Sequence, residues 1–496
     1  MLRILKKYPF GPFLIAIFSC IHGITNFYEW FSFSEWIVLV LTVLFCAGIL
    51  FTAVYFISKS AIKSGLFLSE LVIIFFYFVY LQDGAKLVWT GFGKLSFFIP
   101  LLLLFALTVF FFIKRLNEQQ STKLNEFINI LFLTYVIVDA VILSYHGITK
   151  KEAKLKFKAE AVSEYKGGLS ITAKPDIYFF VFDEYASSAA MKENFGFDNS
   201  AMDSFFKAKD FFVANKSRSN YGATPFSISS TLNMNYFKNL EDSRYPQDFP
   251  AACESMYSNK LFILLQQNGY KIYNYSIFDF NGYPSLAKNF ASDLRIRIVF
   301  SKSILHASEV LYDMLVQNYY FERLSNTVRD VKQIAADSML PQKFVYMHLL
   351  LPHAPFIYNA DGSHRNQSDY NRTSDSYSQK SYINQLIYTN KVIKDLVTDI
   401  LKSKHEKIII VEGDHGYRMG SKTDKKRFDE YMKKREFFRN LNAYYFYDHN
   451  YTKLYDSITA VNSFRIISNQ YLNSDYKLLK DTCIHMQNFA VEPDDY

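Results

Sequence analysis

Acidic and histidine side chains follow three short, very apolar segments of this chain. The side chains are Asp183, His353, Asp414 and His415. The segments that precede them are 177–182, 344–350 and 407–412. In open parallel α/β sheets, ligands bind outside the carboxyl ends of the strands, and carboxylate oxygens and imidazole nitrogens are ligands for divalent metals. The pattern therefore predicts a metal-dependent active site at one edge of a sheet.

The pair Asp414–His415 is the strongest metal-binding signal. It offers one oxygen and one nitrogen ligand just past an Ile-Ile-Ile-Val-Glu strand, and Gly416 is expected to let the backbone turn so that both face one point. The pair taken alone could be a loop with incidental polar residues, and Asp183 taken alone is better explained as the cap of a following helix. Taken together, the three residues favour metal ligation.

His353 stands between two prolines, Pro352 and Pro355. Proline restricts its own backbone and that of the residue before it, so the direction of the imidazole is expected to be fixed. His348 lies within the preceding strand and is expected to pack in or beside the sheet. His364 falls in a polar loop and is expected to be exposed to solvent.

Hydroxyl side chains are concentrated in segment 219–232, at an expected helix start. A helix start presents free backbone N–H groups and the positive end of the helix dipole, which suits a phosphate or sulfate. Thr224 directly precedes Pro225, a residue favoured in the first helical turn. The same arrangement describes an ordinary helix N-cap, and the residues alone favour that simpler interpretation.

The first 150 residues contain five long apolar runs. The runs are approximately 10–27, 37–57, 66–81, 96–113 and 127–145. A helix needs about 20 mainly apolar residues to cross a bilayer. Four runs fit, and the third is marginal because Glu70 interrupts its start. Buried core helices are the alternative, but five such runs in succession predict a transmembrane domain of five spans over residues 1–146.

Basic residues mark alternate loops of this expected domain. They are Arg3, Lys6, Lys7, Lys59, Lys63, Lys114, Arg115 and Lys123. The remaining loops carry Glu29, Glu35 and Asp83 against Lys86 and Lys94. Because loops rich in Lys and Arg stay in the cytoplasm, we expect a multi-pass protein of the inner or plasma membrane. Its amino terminus is expected inside and everything after about residue 150 outside.

The outer part of the chain is expected to be a doubly wound α/β domain over residues 176–496. Residues 147–175 are charged and are expected to form a linker, either solvated or lying as a helix on the membrane surface. Beyond it, strand and helix patterns alternate, which favours a parallel sheet with helices on both faces. Further strand candidates are 271–275 and 443–447. Helix candidates are 200–208, 226–237, 259–268, 304–320, 323–336, 376–402 and 454–470.

Net charge and cysteine content exclude little beyond nucleic-acid binding. The formal charge of +8 over 496 residues is shared about equally between the first 150 residues and the rest. That charge is too dilute to form the basic stripe of a nucleic-acid-binding protein. Cys253 and Cys483 lie in the expected outer domain, where oxidation can occur. The sequence leaves open whether they pair, and it also leaves the oligomeric state open.

Four motifs together resemble the alkaline phosphatase and sulfatase superfamily. The motifs are Pro175–Asp183, Thr224 with its downstream helix, Pro352-His353 and Asp414-His415-Gly416. The order of five spans followed by an α/β domain is similar to the membrane-anchored branch, which includes lipoteichoic acid synthases and lipid A phosphoethanolamine transferases. The resemblance covers nearly the whole chain in architecture and matches at the level of motifs only at these four points.

The resemblance implies a site residue by residue. It makes Asp183, Thr224, Asp414 and His415 the ligands of one divalent metal ion, Zn²⁺ or Mn²⁺. It makes Thr224 the nucleophile as well, and His353 a binder of the phosphoryl oxygens or of the leaving group.

Three further residues are weaker candidates. Glu184 matches the second acidic residue of soluble sulfatases, so a second metal ion stays open. Arg418 and Arg435 are candidates for binding anionic parts of a substrate, and solvated surface charge is the alternative for each.

One departure from the sulfatase pattern separates two chemistries. Sulfatases carry a Cys or Ser that is oxidised to formylglycine, followed by Pro and Arg in a fixed pattern. This chain has Thr224 at that position and Ile228 where the Arg would be. Threonine cannot give that aldehyde, so phosphoryl transfer is expected rather than hydrolysis of sulfate esters.

The expected function is transfer of a phospho-headgroup, such as phosphoethanolamine or phosphoglycerol, by way of a phosphothreonine intermediate. A membrane phospholipid would be the donor, and a glycan or lipid of the cell envelope the acceptor. The alternatives are a membrane-anchored phosphodiesterase or phosphatase that uses water, a sulfuric-ester hydrolase, and a non-catalytic membrane scaffold.

Overall fold

The chain forms two compact units in a computed structural model. The described residues are 2–25, 33–148, 174–238, 245–287, 299–300, 302–307, 318–340, 342–354, 356–365, 379–419 and 425–485. The helical unit comprises Met1–Glu152 together with Asn289–Tyr319. The α/β unit comprises Ala153–Lys288 and Tyr320–Asp495. The expected linker, 147–175, falls almost wholly outside the described residues, so its surface-helix interpretation stays a prediction.

Seven helices of the helical unit are described before residue 150. They are α1 (Leu2–Lys7), α2 (Gly11–Thr25), α3 (Phe33–Ser58), α4 (Ala61–Phe76), α5 (Phe78–Val88), α6 (Leu95–Arg115) and α7 (Glu118–Ile148). In the described chain, three stretches are long and apolar enough to cross a membrane: Trp36–Ser58, Leu95–Arg115 and Glu118–Tyr145. The bent pair α4–α5 would make a fourth span, and the first apolar run forms a shorter helix. Five spans therefore stay a prediction.

The third apolar run is a bent pair of helices. The axes of α4 and α5 differ by 79° across Tyr77. Part of the later segment Asn289–Tyr319 packs at this bend. The backbone N–H of Val79 donates to the carbonyl of Lys302 at 3.0 Å, and the rings of Phe76 and Phe300 stack with centroids 5.7 Å apart. The bend leaves the backbone N–H of Val79 without a partner in α4 or α5, and a carbonyl far away in the sequence accepts its hydrogen bond.

The basic segments of the helical unit meet at one end. The Lys63 ammonium donates to the carbonyl of Lys114 at 2.9 Å and to that of Leu116 at 2.7 Å, which satisfies the open C-terminal carbonyls of α6. In the first half of α7, the Asn125 amide donates to the carbonyl of Lys6 at 3.3 Å and the Asn129 amide to that of Tyr8 at 2.8 Å. Such clustering is what the charge pattern requires if these loops share one side of a membrane.

The α/β unit contains a six-stranded sheet. The strands are β1 (Asp176–Phe182), β2 (Phe212–Val213), β3 (Lys271–Tyr275), β4 (Lys343–Leu349), β5 (Lys407–Glu412) and β6 (Asn442–Phe446). Their order is β2-β6-β5-β1-β4-β3. Strands β3, β4, β1 and β5 are parallel, whereas β6 is antiparallel to both β5 and β2. The expectation of a parallel sheet was wrong at this edge, where β6 pairs antiparallel with β5 and with the short strand β2.

The central strands are apolar on both faces because each face is covered. In β1, Tyr178, Phe180 and Phe182 join one buried core, while Ile177, Phe179 and Val181 join the other. Parallel strands covered by helices on both sides have such continuous apolar runs rather than alternation. This packing brings the ends of β1, β4 and β5 to one edge of the sheet.

The helices of the α/β unit include most of those that were predicted, generally with shifted ends, and three that were not, at residues 188–195, 245–257 and 425–434. They are α8 (Ser188–Phe195), α9 (Ser200–Ala208), α10 (Thr224–Asn233), α11 (Tyr245–Tyr257), α12 (Lys260–Gln267), α13 (Asn318–Ala336), α14 (Gln379–Leu401), α15 (Lys425–Lys434) and α16 (Ala460–Tyr471). The predicted helix 304–320 is described only as a short helix, Ile304–Ala307, and the first residues of α13. Cys253 and Cys483 are free thiols.

Candidate active site

Three buried side chains converge where β1 and β5 end. Asp183, Asp414 and His415 each place a ligand atom within 4.8 Å of the others. His415 Nε2 lies 3.7 Å from Asp183 Oδ1 and 3.5 Å from Asp414 Oδ2. All three atoms are buried without a hydrogen-bond partner in the described chain. Buried polar atoms are normally satisfied, so this cluster fits a divalent cation that would bind all three.

Neighbouring groups orient the two ligand atoms on the β5 side. The Nδ1–H of His415 donates to the carbonyl of Gly416 at 2.8 Å, which leaves the Nε2 lone pair free for a metal. Asp414 Oδ1 accepts the backbone N–H groups of Glu184 at 3.1 Å and His415 at 3.0 Å. The other oxygen, Oδ2, is thereby the one left for a cation.

Gly416 is required for close approach rather than for a left-handed turn. A Cβ at this position would lie 2.6 Å from the carbonyl oxygen of Arg439 and 3.1 Å from that of Phe437, and its φ is not among the positive values of the chain. The expectation that Gly416 is needed for a sharp backbone turn was therefore wrong, because the residue is needed for close packing instead. Without a side chain at 416, the backbone after His415 can pack directly against the 437–439 segment.

Asp183 is surrounded by histidines. Burial raises the pKa of its carboxyl, but His353, His348 and His415 together bring that pKa below its ordinary value. His348 Nε2 lies 3.7 Å from Asp183 Oδ2 and is buried without a partner in the described chain, while its Nδ1 lies 3.1 Å from the Tyr346 hydroxyl. His348 was expected only to pack in or beside the sheet; it also lies next to the carboxylate of Asp183.

His353 and Arg418 form a second polar group at the same edge. The backbone N–H of His353 donates to the backbone carbonyl of Asp183 at 3.2 Å, and the imidazole Nε2 of His353 lies 3.0 Å from Arg418 Nη2. Burial lowers the pKa of His353, whereas the carboxylates of Asp183 and Glu184 raise it, and the net pKa lies above its ordinary value. In this arrangement His353 Nε2 accepts from Arg418 and the imidazole Nδ1–H donates to the carbonyl of Ala354, and the Arg418 guanidinium is the source of hydrogen-bond donors for an anionic oxygen.

Thr224 is the first residue of α10, and Ala223 occupies the N-cap position. The alternative that Thr224 is itself the N-cap was wrong. In the described chain no hydrogen bond engages its hydroxyl, and the residue is half-buried. One turn later, Ser227 donates to the carbonyl of Asp414 at 2.6 Å. The helix start that carries Thr224 is thereby attached to the loop that carries the β5 ligands.

A sequence profile of the Sulfatase family matches residues 185–485. The match begins two residues after Asp183, spans more than half of the chain and includes Thr224, His353, Asp414 and His415. The chain belongs to the Sulfatase family. No curated protein sequence matches it significantly.

Solved structures similar to this sulfatase-family chain include transferases and a hydrolase. The zinc-bound C-terminal periplasmic domain of EptC from Escherichia coli is 12% identical with a TM-score of 0.43, over 66% of this chain and 92% of that one. Lipooligosaccharide phosphoethanolamine transferase A from Neisseria meningitidis is 11% identical with a TM-score of 0.37, over 92% and 95%. Phosphonate monoester hydrolase from Agrobacterium radiobacter is 12% identical with a TM-score of 0.40, over 61% and 74%.

The sulfatase-family site contains one acidic group that the sequence analysis missed. Glu412, the last residue of β5, is completely buried, and neither of its carboxylate oxygens has a partner in the described chain. Burial, and after it the charge of Asp414, raises the pKa of Glu412 to about 8. An acidic residue directly after the apolar run 408–411 was the available signal, because a charged group is rarely buried without a reason.

The two candidate arginines differ in position. Arg418 lies against His353, as described above, and its side chain is only 16% exposed. Arg435 has a left-handed backbone with φ of +56°, and its carbonyl accepts a hydrogen bond from Arg218 at 3.3 Å. No contact of the Arg435 side chain with Asp183, His353 or Asp414 is present in the described residues. Of the two, the structure brings only Arg418 to the candidate site.

Proposed function

We propose that this sulfatase-family protein is a metal-dependent phosphoryl-group transferase anchored to the inner or plasma membrane. It would move a phospho-headgroup, such as phosphoethanolamine or phosphoglycerol, from a membrane phospholipid to a glycan or lipid of the cell envelope. Thr224 would carry the group as a phosphothreonine between the two steps. The proposal is supported by two observations: Thr224 begins α10 without serving as its N-cap, and Ser227, one turn later, donates to the carbonyl of the candidate ligand Asp414.

The donor set supports a divalent ion such as Zn²⁺ or Mn²⁺. Asp183, Asp414 and His415 offer two oxygens and one nitrogen, and Thr224 is the proposed fourth ligand. Either ion accepts such a mixed set. When bound there, a divalent ion supplies polarisation of the phosphoryl group and stabilises a deprotonated hydroxyl.

The side chains of this protein would then perform a double displacement. The Thr224 oxygen would attack phosphorus, the bond from phosphorus to the lipid oxygen would break, and the proton lost by the hydroxyl would balance the one gained by the departing diacylglycerol. One difficult transfer is thereby divided into two steps. His353 and Arg418 would bind the phosphoryl oxygens and stabilise their developing charge. An acceptor hydroxyl would then attack phosphorus and release Thr224.

The residue types at the start of α10 favour phosphoryl transfer over sulfate-ester hydrolysis. Thr224 cannot form the aldehyde that sulfatases use, and Ile228 removes the arginine of their motif. A phosphodiesterase with the same residues and water as acceptor is the second candidate. A non-catalytic scaffold is disfavoured, since it would have no need for three convergent, unsatisfied ligand atoms in a buried site.

The test uses the purified full-length protein with a metal ion and a phospholipid labelled in its headgroup. Transfer of label to an added envelope glycan or lipid, together with release of diacylglycerol, is the expected result. Release of labelled headgroup into water at the same rate with and without acceptor would favour the phosphodiesterase. No conversion of any labelled phospholipid or phosphodiester would contradict both.

A further inference from the structure

The carboxylate of Glu184 is committed to Arg418. Glu184 directly follows the candidate ligand Asp183 and has a side chain only 4% exposed. Its Oε1 accepts the Nε–H of Arg418 at 3.0 Å and the backbone N–H of Arg418 at 3.2 Å. Two hydrogen bonds to one carboxylate oxygen fix both the backbone and the side chain of Arg418.

The backbone of Glu184 is held in an unfavourable conformation by the same site. Its φ is +62°, in the left-handed region that residues with a side chain seldom adopt. Its N–H donates to Asp414 Oδ1 at 3.1 Å, and its carbonyl accepts the Tyr382 hydroxyl at 2.7 Å. Such conformations persist where surrounding contacts impose them, often at functional sites. Here the contacts direct the Glu184 side chain towards Arg418.

On its other side, Arg418 reaches the proposed phosphoryl-binding histidine. Its Nη2 lies 3.0 Å from His353 Nε2 in the imidazole ring, and the backbone N–H of His353 donates to the backbone carbonyl of Asp183 at 3.2 Å. A continuous set of contacts therefore runs from Glu184 through Arg418 and His353 back to Asp183. The guanidinium sits within this set and stays 16% exposed, so a ligand can still reach it.

We propose that Glu184 is a positioning residue that holds the Arg418 guanidinium as the second cation of the site, so that the protein binds one metal ion rather than two. This inference rests on the proposed function, in which Arg418 contacts the phosphoryl group. A carboxylate beside the first ligand is otherwise the natural ligand for a second ion. A guanidinium keeps its positive charge in proteins, so it would repel a second metal ion. In addition, Glu184 Oε1 already accepts two hydrogen bonds from Arg418 and is not available as a metal ligand.

The fixed guanidinium would make recognition of the phosphoryl group depend on the direction of its oxygens. A guanidinium offers a planar set of N–H donors that matches phosphate oxygens, whereas a metal ion is a point charge. With Glu184 holding its Nε edge, the guanidinium plane is oriented before substrate binds. The protein would thus bind one phosphoryl oxygen at the metal and another at a preoriented guanidinium.

The test measures metal stoichiometry, which does not depend on turnover. Full-length protein is stripped of metal, dialysed against Mn²⁺ or Zn²⁺, and the bound metal per chain is determined by elemental analysis. The wild type is expected to bind one ion. Arg418→Ala frees the Glu184 carboxylate and should bind a second ion, and Arg418→Ala combined with Glu184→Gln should return to one. Should Arg418→Ala fail to fold, Arg418→Gln removes the charge with a side chain of similar length and gives the same measurement.

Kinetic variants separate positioning from mere structural support. Glu184→Gln should keep one ion, while the KM for the phosphate-bearing donor rises at least tenfold and kcat changes less. Arg418→Lys keeps the charge and should also stay at one ion, with KM between the wild type and Arg418→Ala. Two ions in the active wild type, or one ion in Arg418→Ala, would overturn the role of Glu184. Failure of the proposed function has a different result, namely a wild type that binds no ion or transfers no phosphoryl group.

Discussion

The Ser227 hydroxyl donates to the carbonyl of Asp414 at 2.6 Å, although the two residues are 187 positions apart in the sequence. This bond joins the first turn of α10, which carries the proposed nucleophile, to the loop that carries two candidate metal ligands. Both groups are buried. The distance between nucleophile and metal should therefore depend on this bond.

Ser227→Ala should lower kcat while the bound metal stays the same. The variant leaves the Asp414 carbonyl without its donor, which should cost about 1–3 kcal/mol of unfolding free energy, and it loosens the start of α10. Ser230→Ala is the matched control, because Ser230 is on the same helix and donates to the carbonyl of Asn235 at 2.7 Å. Both variants should unfold more easily, but only Ser227→Ala should lose activity. Equal kcat in the two would show that the bond has no role in placing Thr224.

Thr224→Ala should abolish turnover and leave the fold intact. Because Ala223 and not Thr224 is the N-cap, the substitution removes no capping bond, and the unfolding temperature should change little. Rapid quenching during turnover of a lipid donor should trap a phosphorylated peptide that contains Thr224 in the wild type, detected by mass spectrometry. Thr224→Ser keeps a hydroxyl at the same place and should retain part of the activity. A Thr224→Ala protein with wild-type turnover would exclude this nucleophile.

Asp414→Ala and His415→Ala should each remove the metal and the activity. The strands β1 and β5 keep their buried Phe, Ile and Val side chains in both variants, so circular dichroism should be preserved. Chelation of the wild type should have the same effect and should be reversed by added metal. His364→Ala is the control, because His364 is exposed to solvent and is not one of the candidate ligands. Activity that survives exhaustive chelation would contradict the single-metal mechanism.

An ion pair between α13 and α14 should give a pH-dependent contribution to stability. The Lys332 ammonium lies 2.7 Å from Asp399 Oδ2, and Lys402 lies 2.7 Å from Asp399 Oδ1. Hydrogen bonds from Lys332 and then Lys402 lower the pKa of Asp399 to about 2. For a carboxyl whose pKa is depressed by folding, the stabilisation is present above the ordinary pKa of aspartate and is lost as pH falls towards the folded value.

Lys332→Met should therefore destabilise the protein near neutral pH, by up to about 1 kcal/mol because the pair is partly solvated. The difference in unfolding free energy between variant and wild type should shrink below about pH 4, where aspartate is ordinarily protonated. It should also shrink in 1 M salt, because the Debye length there is about 3 Å. Urea unfolding at a series of pH values measures it. Lys404→Met, without an ion pair in the described chain, is the control. Lys332 also lies 2.5 Å from Asp395 Oδ2, so a difference that stays constant down to pH 2.5 would show that neither carboxylate is the partner.

A reporter fused after residue 150 should be active only outside the cytoplasm. The expectation rests on the alternation of basic loops, and the contacts of Lys63 with the end of α6 bring two of those loops together. Alkaline phosphatase and a fluorescent cytoplasmic reporter at the same position provide opposite readouts. A cytoplasmic signal would show that the bent pair α4–α5 does not cross the membrane.

The sequence predicts those parts of the fold that local patterns determine. The segments ending at Phe182 and Glu412 coincide with the ends of β1 and β5, because strands buried on both faces are mainly apolar along their length. Convergence of Asp183, Asp414 and His415 follows from the same rule, since parallel strands bring their carboxyl ends together.

Features that depend on distant partners were not predictable. The antiparallel direction of β6 depends on its pairing with β5 and not on its own composition. The bend at Tyr77 has apolar residues on both sides and neither Pro nor Gly at the break. The commitment of Glu184 to Arg418 joins residues 234 positions apart. No local signal marks any of the three.

The bond between Val79 and Lys302 implies an order of assembly during synthesis. When α4 and α5 have left the ribosome, the segment that supplies this carbonyl has not yet been translated, and it comes after β1, β2 and β3 in the chain. The helical unit is thus completed only when that later segment returns to it. A fragment ending near residue 150 would contain all seven of the first helices and still lack the partner of their bend. Expression of the first 150 residues alone should for this reason yield a protein more sensitive to proteolysis than the same helices within the full chain.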